Sequence, residues 1–185
     1  PLGWISYRPY SGGEVTGWGP HGLDIIQWAL GMDHDGPVEL WPEGEGGWAP
    51  VSYRYANGVT VHLDNKGPAG GGIFEGDAGE IKIDRGKYDA RPRALIKEPI
   101  GDSEIHLEVS KDHMQNWLDC IRTREKPITE VQVGHSTTAL CHLINITRWV
   151  GRKLHWDPKT ERFDDDEANS HLKRHMRPPY TLEEA

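Results

Sequence analysis

The chain has 185 residues, a hydrophobic share of 36% and a formal net charge of -8, with a mean hydropathy of -0.69. That length supports one domain with a real core, burying about 70% of its unfolded surface, and the polar balance describes a soluble protein. The acidic excess argues against nucleic acid and anionic membrane surfaces, which need clustered Lys and Arg, and no apolar run approaches the roughly 20 residues of a membrane span.

The first residues, Pro1-Leu2-Gly3-Trp4-Ile5-Ser6-Tyr7, read as the inside of a strand rather than a signal peptide. The chain is therefore expected to be a piece of a longer protein. Next comes Gly17-Trp18-Gly19-Pro20-His21-Gly22-Leu23, a glycine-rich loop that delivers a histidine to a helix start. Leu23, Ile26, Gln27 and Leu30 share one face of that helix, and Gly31 closes it. Pro20 suits a first turn, since its φ is preset and it has no N–H to leave orphaned. His21 then sits where the helix dipole and free N–H groups disfavour an imidazolium, so a neutral ring is available as a proton acceptor. The competing reading makes His21 a polar cap only. Arg8, Tyr10, Glu14 and Trp18 lead into the same segment. Arg and Glu hydrogen-bond hydroxyls, and Tyr and Trp faces stack on the C–H side of a sugar. Ordinary loop packing explains them equally well.

Val38-Glu39-Leu40-Trp41 predicts a short strand, followed by a turn-rich loop from Pro42 to Pro50. Val51–Tyr55 and Val59–Leu63 alternate apolar and polar residues around Asn57-Gly58, a strong hairpin signal. Gly67-Pro68-Ala69-Gly70-Gly71-Gly72 lacks the spacing of a dinucleotide loop and precedes a strand, where such a fingerprint must open a helix. It reads as a flexible strand connection, with a place near a substrate left open. Ile73–Glu75 and Ile81–Asp84 predict a second hairpin through Gly76-Asp77-Ala78-Gly79. This alternation predicts an open, mainly antiparallel sheet covered on one side. Tyr53, Tyr55, Val59, Val61 and Leu63 offer more bulk than one small core needs, so the other face is available to a second subunit.

Ser110 is placed to cap a helix with Met114, Trp117, Leu118 and Ile121 as its apolar stripe, ended by Lys126-Pro127. A second helix, from about Val133 to Val150, carries Leu140, Leu143, Ile144 and Thr147 on one face and Gly151 at its C-cap. Both helices are expected on the sheet, with Trp28, Trp117 and Trp149 in the core. A strand at Leu154-His155-Trp156 precedes Asp164-Asp165-Asp166-Glu167, read as a solvated turn. The tail, about 164–185, holds a brief helical pattern and then an extended Arg177-Pro178-Pro179-Tyr180.

Other chemistries find little support. Asp33-His34-Asp35 offers ligands, but consecutive residues seldom converge on one ion, and the His171/His175 pair lacks a third ligand, so no metal site is expected. No Gly-x-Ser-x-Gly elbow occurs, which argues against acyl transfer. Glu14 and Asp24 flank His21, leaving paired-carboxylate glycoside hydrolysis open, though Asp24 lies one turn beyond His21 and is better placed to orient the ring or cap locally. The two cysteines, Cys120 and Cys141, fit buried thiols in a reducing compartment, with one bridge between them left open.

The pattern Ser11-Gly-Gly-Glu14-Val-Thr-Gly17-Trp-Gly-Pro-His21-x-x-Asp24-x-x-x-Trp28, followed by Gly76-Asp-Ala-Gly79 and Gly151-Arg152-Lys153-Leu154-x-Trp156-Asp157, resembles the C-terminal domain of the Gfo/Idh/MocA oxidoreductases. The resemblance runs through nearly the whole chain and implies a single α+β domain over 1–185, with helices on one face of the sheet, like the C-terminal domain of glyceraldehyde-3-phosphate dehydrogenase. It implies substrate binding and oligomerisation within an NAD(P)-dependent oxidoreductase acting on a secondary alcohol of a sugar or cyclitol. His21 matches the family's acid/base. NAD or NADP would be held by a preceding Rossmann domain, which also supplies a lysine, and not by these residues. The chain alone is therefore expected to be inert. Partners implied are that domain, a sugar-like molecule, and further copies in a dimer or tetramer through the open sheet face. A cytoplasmic location is expected. The family usually carries an aspartate four residues before the histidine, where this chain has Gly17, so either the carboxylate comes from elsewhere, Glu14 being the nearest, or the proton relay is shorter. Two other readings are a non-catalytic assembly or carbohydrate-binding module, and an NAD-dependent glycosidase on the same fold.

Overall fold

A computed structural model describes residues 3–64, 66–68 and 70–181. The strand expectation at the N-terminus is corrected over its described part: Trp4–Ser6 forms a 3-10 turn, while Pro1 and Leu2 lie outside the described residues. Two compact units emerge, each assembled from two stretches of chain: Pro1–Asp35 with Asn65–His142, and Gly36–Asp64 with Leu143–Ala185. All strand pairing is antiparallel, giving an α+β architecture.

The first unit opens with a one-turn helix α1 (Glu14–Gly17) and then α2 (Gly19–Ala29). Leu23 and Gln27 are buried, as the helical period requires. The buried Gln27 amide donates to the Met32 carbonyl at 3.1 Å, and the Gly31 N–H donates to Trp28 at 3.0 Å, so the helix end is satisfied. Strands β4 (Gly72–Gly76), β5 (Gly79–Asp84) and β6 (Lys87–Arg91) form a three-stranded meander. The β4–β5 hairpin is the expected one; β6 is not among the predicted strands.

Helix α3 (His113–Thr123) is capped by Asp112, whose carboxylate accepts from the N–H groups of Met114 and Gln115 at 3.0 Å, rather than by Ser110. It stops at Arg124 in a left-handed conformation, φ 64°, before Lys126-Pro127 is reached. Its stripe is not core: Met114, Trp117, Leu118 and Ile121 are exposed, Trp117 by 54%. Trp28 and Trp149 are likewise on the surface. The periodicity identified an apolar face correctly, but nothing among the described residues covers that face on α3.

The second unit is built on a five-stranded sheet in the order β3-β2-β1-β7-β8. Its strands are β1 (Glu39–Pro42), β2 (Val51–Arg54), β3 (Thr60–Leu63), β7 (Leu154–Asp157) and β8 (Arg162–Phe163). Leu40, opposite both Tyr53 and Leu154, is fully buried with them. Helix α4 (Val131–Val150) adds Leu143, Ile144, Ile146 and Thr147 to this core. The Arg148 Nε donates to the Ala49 carbonyl at 2.9 Å, tying the helix to the β1–β2 loop. Gly151, with φ 72°, ends α4 as expected, since a left-handed C-cap costs least without a Cβ.

The other face of this sheet is polar and internally paired. Glu39 lies within 3.3 Å of Arg54, 3.0 Å of Lys153 and 3.6 Å of His155. Its carboxyl is held below the usual value, chiefly by the hydrogen bond from Lys153. The cations of Arg54 and Lys153 stand over the Trp41 ring at 5.5 and 5.6 Å.

The acidic run expected as a solvated turn is exposed over Asp164, Asp166 and Glu167 but opens a helix. Asp165 caps α5 (Asp166–Ser170), accepting from the Ala168 N–H at 2.9 Å and from Arg152 at 2.7 Å. Further on, Arg177–Tyr180 is a hydrogen-bonded turn rather than extended chain, the Tyr180 N–H reaching the Arg177 carbonyl at 3.0 Å. The remaining tail expectation, over 182–185, lies outside the described residues. No helix among the described residues is long and apolar enough to cross a membrane.

Candidate active site

A cleft of about 420 Å³ opens in the first unit, lined by Pro20, His21, Asp24, Ile25, Gly70, Arg85, Gly134, Thr137 and Thr138. Three elements converge on it. The first turn of α2 brings His21, with Pro20 just before it and Asp24 one turn on. The N-terminal half of α4 brings Gly134, Thr137 and Thr138. The tight turn between β5 and β6 brings Arg85, whose N–H is fixed by the Asp84 carboxylate at 2.8 Å.

His21 is exposed and faces this space. Its ring packs edge-on against Trp18, centroids 5.1 Å apart and planes at 71°. Its backbone N–H donates to the Trp18 carbonyl at 3.2 Å, so the loop residue sets both the backbone and the ring. Asp24 accepts a hydrogen bond from the Thr137 hydroxyl at 3.1 Å, a bond spanning 113 positions that joins α2 to α4 across the cleft floor. Asp33 feels that negative charge: burial first and Asp24 second push its carboxyl above the ordinary 3.8.

Of the residues singled out from sequence, His21 lines the cleft and Trp18 packs edge-on against its ring. Arg8, Tyr10 and Glu14 do not line it; Tyr10 is 73% exposed in a turn closed by its N–H to the Tyr7 carbonyl. A carboxylate does reach His21's cleft, but it is Asp24, not Glu14. At Gly17 the space is limited, because a Cβ there would stand 2.9 Å from the Ile5 Cδ1 methyl. Sequence reasoning missed Arg85, Thr137 and Thr138. The Asp84-Arg85-Gly86-Lys87 turn signal could have flagged the first, whereas the threonines look like any polar face of a helix.

The glycine run serves packing. A Cβ on Gly71 would stand 2.0 Å from the Ile83 carbonyl oxygen, so close strand approach explains that glycine, and β4 rather than a helix follows. Ala69 within the run lies outside the described residues. These residues do not fit a dinucleotide, whose phosphates need N–H groups at a helix start. No group of three or more metal-ligating side chains occurs among the described residues. His171 ends α5 and packs edge-on against Trp149, centroids 5.7 Å apart, so it and His175 do not share a helical face.

Compared with known families, residues 3–182 match the family model described as "Oxidoreductase family, C-terminal alpha/beta domain", that of the Gfo/Idh/MocA oxidoreductases. The chain belongs to this family. The antiparallel α+β architecture agrees with such a Gfo/Idh/MocA C-terminal domain, and the family is typically NAD(P)-dependent. Comparisons with curated proteins and with solved structures return no match.

Proposed function

We propose that this chain is the substrate-binding domain of an NAD(P)-dependent oxidoreductase acting on a secondary alcohol of a sugar or cyclitol, with His21 as the acid/base. The observation that carries this reading is an exposed imidazole at a first helical turn, facing a cleft sized for a monosaccharide and lined by hydroxyl and carboxylate groups. A secondary alcohol gives up hydride only as its O–H proton departs, and a neutral imidazole is suited to take that proton near pH 7. Asp24, fixed by Thr137, takes the place of the family's aspartate: its free lone pairs accept from substrate hydroxyls and orient them toward the ring. A nicotinamide held by another domain would supply the hydride acceptor, and catalysis would then require that domain.

The test is His21→Ala in the full-length protein. Turnover falls by about 10²–10⁴-fold while oligomer size and thermal midpoint stay within error. Unchanged turnover leaves a scaffold role only. We propose in addition that copies assemble through the polar face of the five-stranded sheet. Trp41 flanked by Arg54 and Lys153 supports this, since aromatic and Arg side chains are enriched at interfaces.

A further inference from the structure

Arg85 is the feature of the cleft that oxidation of a neutral polyol does not require. Its side chain runs across Gly70, where a Cβ would stand 2.9 Å from Arg85 Cγ and 3.1 Å from its Nε. Its guanidinium ends over the Trp18 ring, 4.7 Å from the centroid. Trp18 is the same indole that packs edge-on against His21. A missing side chain beneath and an aromatic plane at the tip thus hold this arginine against the cleft. The Asp84 carboxylate, next in sequence, is spent on the Arg85 backbone N–H. Among the described residues no carboxylate lies in ion-pair contact with the guanidinium. Asp24, the acidic residue lining the cleft, accepts from Thr137.

Resting on the reading of His21 given above, we infer that the substrate carries an anionic oxygen group, a carboxylate or a phosphoryl group, which Arg85 binds while His21 addresses a hydroxyl of the same molecule. A guanidinium held over an indole ring still offers a planar fork of N–H donors, and that fork matches two oxygens of a carboxylate or phosphate. The volume of about 420 Å³ limits the ligand to roughly one sugar ring with its acid group. The Asp24 carboxylate sets polarity: the acid group lies toward Arg85 and the neutral hydroxyls toward Asp24 and Thr137.

Full-length protein is titrated with three matched probes, glucose, glucuronate and glucose 6-phosphate, by calorimetry, with amide shifts locating the site. At least one anionic probe binds about tenfold or more tighter than glucose, perturbing residues 20–25 and 137–138. A gain with glucuronate identifies a carboxylate; a gain with glucose 6-phosphate identifies a phosphoryl group. Arg85→Gln abolishes the gain, so that within this variant the anionic probes bind no tighter than glucose. Gly70→Ala, which keeps the charge but displaces the side chain, reduces the gain severalfold, so loss of fold is separated from loss of placement. Equal binding of all three probes, or a gain that survives Arg85→Gln, overturns the inference. His21→Ala keeps the anion preference while turnover falls by about 10²–10⁴-fold. Loss of preference in Arg85→Gln with turnover indifferent to His21 would strike the function reading alone.

Discussion

Cys120 and Cys141 both sit on helices, yet their chemistry diverges with their surroundings. Cys141 is fully buried on α4, and burial pushes its thiol up to about 12, so almost no thiolate forms near neutrality. Cys120 on α3 is partly accessible, and both are free. Native protein at pH 8 should therefore expose one fast thiol to an alkylating reagent. Cys120→Ser abolishes that phase, and Cys141 reacts only on unfolding; rapid labelling of Cys141 in folded protein refutes this. At the same scale, His21 was legible because a proline and two glycines announce its position. Arg85 was not, because its meaning comes from what lies around it. The room above Gly70 and the ring of Trp18 meet it only after β4–β6 have folded.

Strand alternation and helix period located most elements, because each depends on neighbours close in sequence. Strand β6 escaped, since Lys87-Tyr88-Asp89-Ala90-Arg91 buries only Ala90 and so has no apolar alternation to read. The stripe on α3 shows the converse: a period reports which face is apolar, not whether anything covers it. The acidic run around Asp165 looked like solvated charge because its partner, Arg152, lies across a strand pair. The Ala168 N–H first, and Arg152 second, hold the Asp165 carboxyl below its ordinary value of 3.8. A depressed carboxylate contributes stability that is complete above that value and is lost as pH falls through the lower folded-state value. Asp165→Asn should therefore flatten the acid limb of the stability curve below about pH 4, measured by denaturant midpoints, while leaving its shape above pH 5 intact. An acid limb as steep as the parent's would exclude Asp165 as a contributor.

At the level of the whole molecule, the proposed assembly makes a direct demand on the polar sheet face. Combining Trp41→Ala with Arg54→Glu removes the ring and reverses one of its cations. Light scattering of the full-length protein should then report a single-subunit mass, with the core residues Leu40 and Tyr53 untouched on the opposite face. An unchanged mass places the contact elsewhere. The same sheet has a temporal consequence. Leu40 of β1 pairs with Leu154 of β7, more than a hundred residues later. During synthesis the β1–β2–β3 segment must wait with one edge unpaired until the ribosome has delivered α4 and β7. Such distant pairing closes slowly, so the nascent chain is at its most aggregation-prone in that interval, and slower translation just after β3 would lengthen the exposure rather than relieve it.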